Sequence, residues 1–214
     1  MRNNIKWMFL ILLCVGCGDI IEEDIEKENV QLVAPGDLVV TFNQDVQFVW
    51  ESILDADNYT FQLGKPSFEN LEEIVLDTVV NENGLSRKLA FGKYCWRVKA
   101  NNSTSSSKYY SRSFEVMKDL STDNIEITSP IEAFEASSEE VIFMWKNLEG
   151  ATSYKLQIVS PSFDGIDNMI RDTVITVNEF REKLDIGKYQ WRIKGLNAKT
   201  ESQYVTRSLE RKDE

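Results

Sequence analysis

The sequence states one pattern twice. Trp50, Tyr59, Gln62, Pro66-Ser67-Phe68, Asp77-Thr78-Val79, Leu89, Gly92-Lys93-Tyr94 and Trp96-Arg97 recur as Trp145, Tyr154, Gln157, Pro161-Ser162-Phe163, Asp172-Thr173-Val174, Leu184, Gly187-Lys188-Tyr189 and Trp191-Arg192. Each residue follows its counterpart by 95 positions, since Trp145 is 95 after Trp50 and Trp191 is 95 after Trp96. The register holds from Pro35 and Pro130 to Arg112-Ser113 and Arg207-Ser208 without an insertion, and about a third of the paired positions are identical. Repeats that stack into solenoids have periods of about 20–50 residues. A period of 95 therefore means two domains of one fold.

Within each copy apolar and polar residues alternate. Val46, Phe48 and Trp50 share one parity, as do Tyr59, Phe61 and Leu63, then Tyr94, Trp96 and Val98, and the second copy repeats all three runs. Period-two alternation marks strands with one buried face. Several such strands separated by turn residues predict an all-β sandwich, with Trp50, Tyr59, Leu89, Trp96 and Val98 and their counterparts in the core. No helical period stands out beyond the first residues.

Those first residues read as a targeting segment. Arg2 and Lys6 precede an apolar run from Trp7 to Val15, and Gly16-Cys17 closes it. The run is shorter than the ~20 residues a bilayer-spanning helix needs, so residues 1–16 are expected to be a signal peptide. Its removal takes away two basic residues and no acid, which moves the formal net charge from −11 to −13. An acidic surface with no basic patch excludes nucleic acid as the expected partner. The chain has no histidine, so imidazole bases, histidine metal ligands and Ser-His-Asp triads are excluded. Of its three cysteines, Cys14 leaves with the signal, Cys17 stands at the cut and Cys95 has no partner. Stability must then come from packing, not disulfides. No catalytic residue, cofactor or metal site is expected. Residues 17–29, rich in Asp and Glu, read as a solvated acidic tether. The sequence thus divides into the signal, this tether, a first domain over 30–117, a linker over 118–124 and a second domain over 125–211.

The early-strand tryptophan, the tyrosine on the next strand, and the Leu-x-x-Gly-x-Tyr-x-Trp run at 89–96 and 184–191 resemble the fibronectin type III superfamily. The resemblance covers about 180 residues. It implies two tandem immunoglobulin-like sandwiches in which Tyr94 and Tyr189 form tyrosine corners. It speaks to architecture and leaves the ligand open. Gly16-Cys17 followed by acids resembles a bacterial lipoprotein processing site, which implies a diacylglyceryl group on Cys17, attachment to a membrane through that lipid, and residence in the outer membrane. The acidic run from Asp19 resembles the surface-export signals of Bacteroidota lipoproteins. Display at the cell surface and on the periplasmic face both stay open. Pro35, Val46-x-Phe48-x-Trp50, Tyr59 and Gln62 are also similar to the N-terminal sandwich of SusE-type lipoproteins, which implies an accessory role in glycan uptake as the alternative to a protein-binding or assembly role.

Several residues are candidates for more than packing. Thr78 and Thr173, within Asp-Thr-Val, match the O-glycosylation pattern of that phylum, while Thr and Val also simply suit strands. Ile142 and Met144 take the outward parity where the first copy has Gln47 and Val49, so an interface is expected there. Arg97, Lys99, Arg192 and Lys194 lie opposite the tryptophans; a ligand strip stays open there, while the arginines are expected to pair across strands with Glu115 and Glu210. Phe68 and Phe163 follow Pro-Ser in a loop, open either to stacking on a ligand or to burial.

Overall fold

A computed structural model describes residues 23–213, which fold entirely into strands and loops. In the first domain the strands are β1 (Leu32–Ala34), β2 (Val39–Thr41), β3 (Asp45–Trp50), β4 (Asn58–Pro66), β5 (Leu71–Val80), β6 (Gly84–Lys88), β7 (Gly92–Asn101) and β8 (Tyr110–Val116). The second domain repeats them as β9 (Ile127–Ser129), β10 (Phe134–Ala136), β11 (Glu140–Trp145), β12 (Ser153–Pro161), β13 (Ile166–Ile175), β14 (Glu179–Lys183), β15 (Gly187–Leu196) and β16 (Val205–Arg211). Every strand begins and ends 95 residues after its counterpart. Each domain pairs a three-stranded sheet, β1-β3-β6 or β9-β11-β14, with a five-stranded one, β2-β8-β7-β4-β5 or β10-β16-β15-β12-β13. All strand pairs are antiparallel except the short edge strands β2 on β8 and β10 on β16. Both domains are fibronectin type III-like sandwiches, as the sequence implies.

Strand alternation sends one face of each sheet inward. On β3 the order is exposed Asp45, buried Val46, exposed Gln47, buried Phe48, then Trp50 with no exposed surface. Phe48 meets the Trp96 ring edge-on at 5.3 Å, so a residue of the small sheet locks into the large one. Phe143 meets Trp191 in the same way at 4.9 Å. Trp50 and Tyr59, like Trp145 and Tyr154, pair edge-on at 5.5 Å. Buried aromatic pairs of this geometry add about 0.5–1.5 kcal/mol beyond the area they hide. Tyrosine hydroxyls then fix the loops. Tyr94 donates to the Ala90 carbonyl and Tyr189 to that of Asp185, each at 2.9 Å, forming both corners. Gly92 and Gly187 start the strands that follow with φ of 151° and 158°, which a side chain would resist.

The structure differs from the expected domain boundaries in one respect. The second half of the acidic segment does not run free. Ile25 is 2% exposed and belongs to the first core, and its N–H donates to Ser105 Oγ at 2.9 Å. Asn102 Nδ2 donates to the Glu23 carbonyl. The segment read as a linker does the same in the second copy. Leu120 has no exposed surface, its N–H donates to Thr200 Oγ1 at 3.1 Å, and Asn197 Nδ2 donates to the Lys118 carbonyl. Each pair lies 95 residues apart, so each domain begins with a docked incoming segment. Burying one isoleucine or leucine contributes about 1.5–3 kcal/mol, enough to hold a short acidic stretch that composition alone leaves in solvent.

Asp24 and Asp119 shape these segments. Their Oδ1 atoms accept from the N–H of Glu26 and Ser121, both at 2.9 Å. Those bonds lower both carboxyl pKa values below the ordinary range. A depressed carboxylate stabilises the docked form above its ordinary pKa, and that stabilisation is lost as pH falls through the lowered value. The protection of the Ile25 and Leu120 amides against hydrogen exchange is therefore expected to drop below about pH 4. In Asp24→Ala the pH dependence should disappear at Ile25 and persist at Leu120. For the cores, Trp96→Ala or Trp191→Ala should cost about 3–5 kcal/mol in urea denaturation, and an unchanged midpoint would contradict this packing.

Candidate interaction face

The outward face of the five-stranded sheet carries a side-chain array present in both domains. Strand register builds it. Gln62 on β4 is the Cα partner of both Asp77 on β5 and Arg97 on β7, so the three side chains stand in one row. Gln62 Nε2 donates to Asp77 Oδ2 at 2.8 Å, and Arg97 Nε donates to Gln62 Oε1 at 2.7 Å. The copy is Gln157 Nε2 to Asp172 Oδ2 at 3.0 Å and Arg192 Nε to Gln157 Oε1 at 2.8 Å. With its Nε fixed, each guanidinium lies over two aromatic rings. Arg97 Cζ is 4.3 Å from the centroids of Phe68 and of Tyr109, and Arg192 Cζ is 4.1 Å from Phe163 and 4.2 Å from Tyr204. Lys99 and Lys194 also lie over Tyr109 and Tyr204, with Nζ at 5.4 and 4.6 Å from the ring centroids. In the second copy Lys155 also pairs with Asp172, and that contact, more than the Gln157 bond, holds the Asp172 carboxyl below its ordinary pKa.

Beside each stack runs a shallow groove, about 360 Å³ in the first domain and 400 Å³ in the second. Six lining residues are the same in both: Pro66, Ser67, Lys93, Tyr94, Ser113 and Glu115, matched by Pro161, Ser162, Lys188, Tyr189, Ser208 and Glu210. The opposite sheet behaves differently. There the outward pairs Gln47/Ile142, Val49/Met144 and Ser86/Arg181 all differ. The small-sheet face keeps Lys88/Lys183 at its margin, and the large-sheet face changes at Thr60/Lys155 and Cys95/Gln190, but the hydrogen-bonded Gln-Asp-Arg row with its two rings is kept whole in both copies. Asp77 and Asp172 also belong to the kept set, although duplication alone preserved only about a third of the chain.

The expected site residues fall as follows. Arg97 and Arg192 do not pair with Glu115 and Glu210. Those glutamates are the cross-strand partners of Lys93 and Lys188, and the guanidinium groups are taken up by glutamine and aromatic rings. Phe68 and Phe163 are half-buried, each with one ring face on its arginine. Thr78 and Thr173 are half-buried on edge strands, paired with Phe61 and Leu156 and so turned to the core-facing side. Ile142 is half-buried and Met144 is 39% exposed; their cross-strand partners are Arg181 and Glu179, which are ion-paired to each other. Cys95 is buried, and desolvation raises its thiol pKa, which makes it a packing residue. Cys17 lies outside the described residues. Among the described residues, no cluster of three or more His, Cys, Asp or Glu is arranged to hold a metal ion, and no helix is long and apolar enough to cross a membrane. Tyr109 and Tyr204 went unread in the sequence. Their signal was an identical tyrosine at +95 in a loop that otherwise keeps only Asn102/Asn197 and Ser107/Ser202.

No family profile matches the chain, and no curated protein matches it significantly. Among solved structures, it is similar to a two fibronectin type III domain segment of chicken tenascin at 14% identity, covering 85% of this chain and 97% of that one with a TM-score of 0.48. It is also similar to the FN1–FN3 domains of chicken CNTN1 at 16% identity, covering 86% and 66% with a TM-score of 0.41. The fold assignment itself stands on the strand order and register above.

Arg97→Ala should destabilise the first domain by about 1–2 kcal/mol, since two cation–π contacts and a hydrogen bond are lost together. Arg97→Lys keeps the charge but not the plane, and is expected to recover little of that loss in a denaturant melt. Full recovery by lysine would show that charge alone matters.

Proposed function

We propose that the chain is a non-catalytic lipoprotein of the bacterial outer envelope, anchored in the outer membrane through acylated Cys17, that presents two fibronectin type III-like modules to a protein partner or assembly. The observation that carries the binding role is the connected Gln-Asp-Arg and aromatic array kept whole in both copies on the large-sheet face. A rigid stack of arginine over two rings gives a partner a fixed, mixed apolar and cationic surface, and holding it rigid in advance lowers the entropy lost on binding. The anchor rests on the sequence alone, on Gly16-Cys17 after a basic and apolar run.

A glycan-binding role beside a SusE-like uptake system is the second reading. Ser67, Lys93, Ser113 and Glu115 offer hydroxyl-matching donors and acceptors in the groove. The protein reading is preferred because the aromatic faces a sugar would use are engaged. Phe68 and Tyr109 hold Arg97, and Tyr110 packs against the core.

Metabolic labelling with an azido-fatty acid should mark the wild-type chain and not Cys17→Ala; equal signal would remove the anchor. In cells, a photo-reactive residue at Ser67 or Ser162 should trap a discrete protein adduct, while one at Gln47 should not. Adducts only at Gln47 would overturn the choice of face. Specific glycan-array retention lost in Lys93→Ala would favour the second reading instead.

A further inference from the structure

The end of the first domain that receives the incoming chain carries an unusual tip. Leu54 is 83% exposed, the most exposed large apolar side chain among the described residues, and Asp55 beside it turns the chain with φ of 63°. Asn102 Nδ2 ties this tip to the N-terminal segment, donating to the Asp55 carbonyl at 3.1 Å and to the Glu23 carbonyl at 2.9 Å. Glu23 is therefore pinned next to Leu54. The second domain shows what the same position does at the other entrance. There the tip is Glu149-Gly150, and Glu149 pairs at 3.5 Å with Lys118, the counterpart of Glu23. A linker entrance has a charge pair, and the N-terminal entrance has an exposed leucine.

Cys17 precedes Glu23 by six positions. At about 3.3–3.6 Å per residue that stretch spans at most about 20–22 Å. A lipid on Cys17 would hold this end of the domain within a headgroup layer's reach of the bilayer. We propose that the Leu54 tip is a second contact with the membrane that takes the acyl chains, with Leu54 entering the headgroup region. This rests on the lipid-anchor reading of Cys17. The exposed acids around the tip, Asp55 and Asp57, make neutral or zwitterionic lipid the favoured surface over anionic lipid.

The test uses the mature acylated full-length chain in phosphatidylcholine vesicles containing brominated lipid. Bimane is placed at Leu54→Cys or, as the control, at Asn70→Cys, which follows the opposite end of β4, about 25–30 Å away. Acylated Cys17 and buried Cys95 leave only the introduced thiol to label. Bimane at position 54 should be blue-shifted and quenched at least twofold more than at position 70, and adding anionic lipid should weaken the effect. Vesicle-bound protein with equal quenching at both positions would overturn the contact and leave the anchor intact. Failure of the chain to float with vesicles would remove the anchor, and this contact with it.

Discussion

The edge-on contact of Phe48 with Trp96, and of Phe143 with Trp191, is what the rest of each domain depends on. A sheet alternates its side chains, so locking one inward residue fixes the direction of every outward one on the same strand. With Trp96 inward, Arg97 must face out in register with Gln62 and Asp77. With Tyr94 inward, Lys93 must face out beside Glu115. The core thus determines the geometry of the surface array. The four tryptophans are so deeply placed that their indole N–H groups find no acceptor. Each such buried donor costs about 1–3 kcal/mol, which the ring burial exceeds.

Duplication lets the chain serve as its own comparison. Two copies started alike, and what differs between them shows where packing and chemistry stopped demanding sameness. The inward face had little freedom, since core packing tolerates few changes in shape. An outward face has no such restraint, so the repeated Gln-Asp-Arg row and the repeated groove need another cause. Mutual support explains part of it: Arg97 loses its position if Gln62, Phe68 or Tyr109 changes. The groove residues Ser67, Lys93, Ser113 and Glu115 are held by separate local contacts, Ser67 by Asn70 and Lys93 opposite Glu115, and not by the arginine stack, so recognition is the better account of their being kept together.

Much of the architecture was legible in the sequence because alternation and repetition are read directly from residue order. The tryptophan, tyrosine and glycine positions each fell where strand parity put them. The docked segments were not legible. Residues 23–29 are dominated by acids, and composition points to solvent, yet a single Ile25 with a waiting slot outweighs it. Asp24/Asp119, Asn29/Asn124 and Asn102/Asn197, identical across the copies, hinted that the repeat began earlier. The arginine contacts were misjudged for a related reason. Charge suggested a glutamate partner, but the register offsets Glu115 from Arg97 and brings glutamine and two rings to it, a match of plane and hydrogen bond that residue type alone does not reveal.

The sequence has five tryptophans, Trp7 in the segment expected to be a signal and Trp50, Trp96, Trp145 and Trp191 in the domains, none of these four more than 1% exposed. Intrinsic fluorescence of a chain that begins at Cys17 therefore reports on the two cores alone. The account predicts a blue-shifted emission that iodide does not quench until denaturant unfolds the domains. Iodide quenching in native buffer with the slope of a free indole would contradict it.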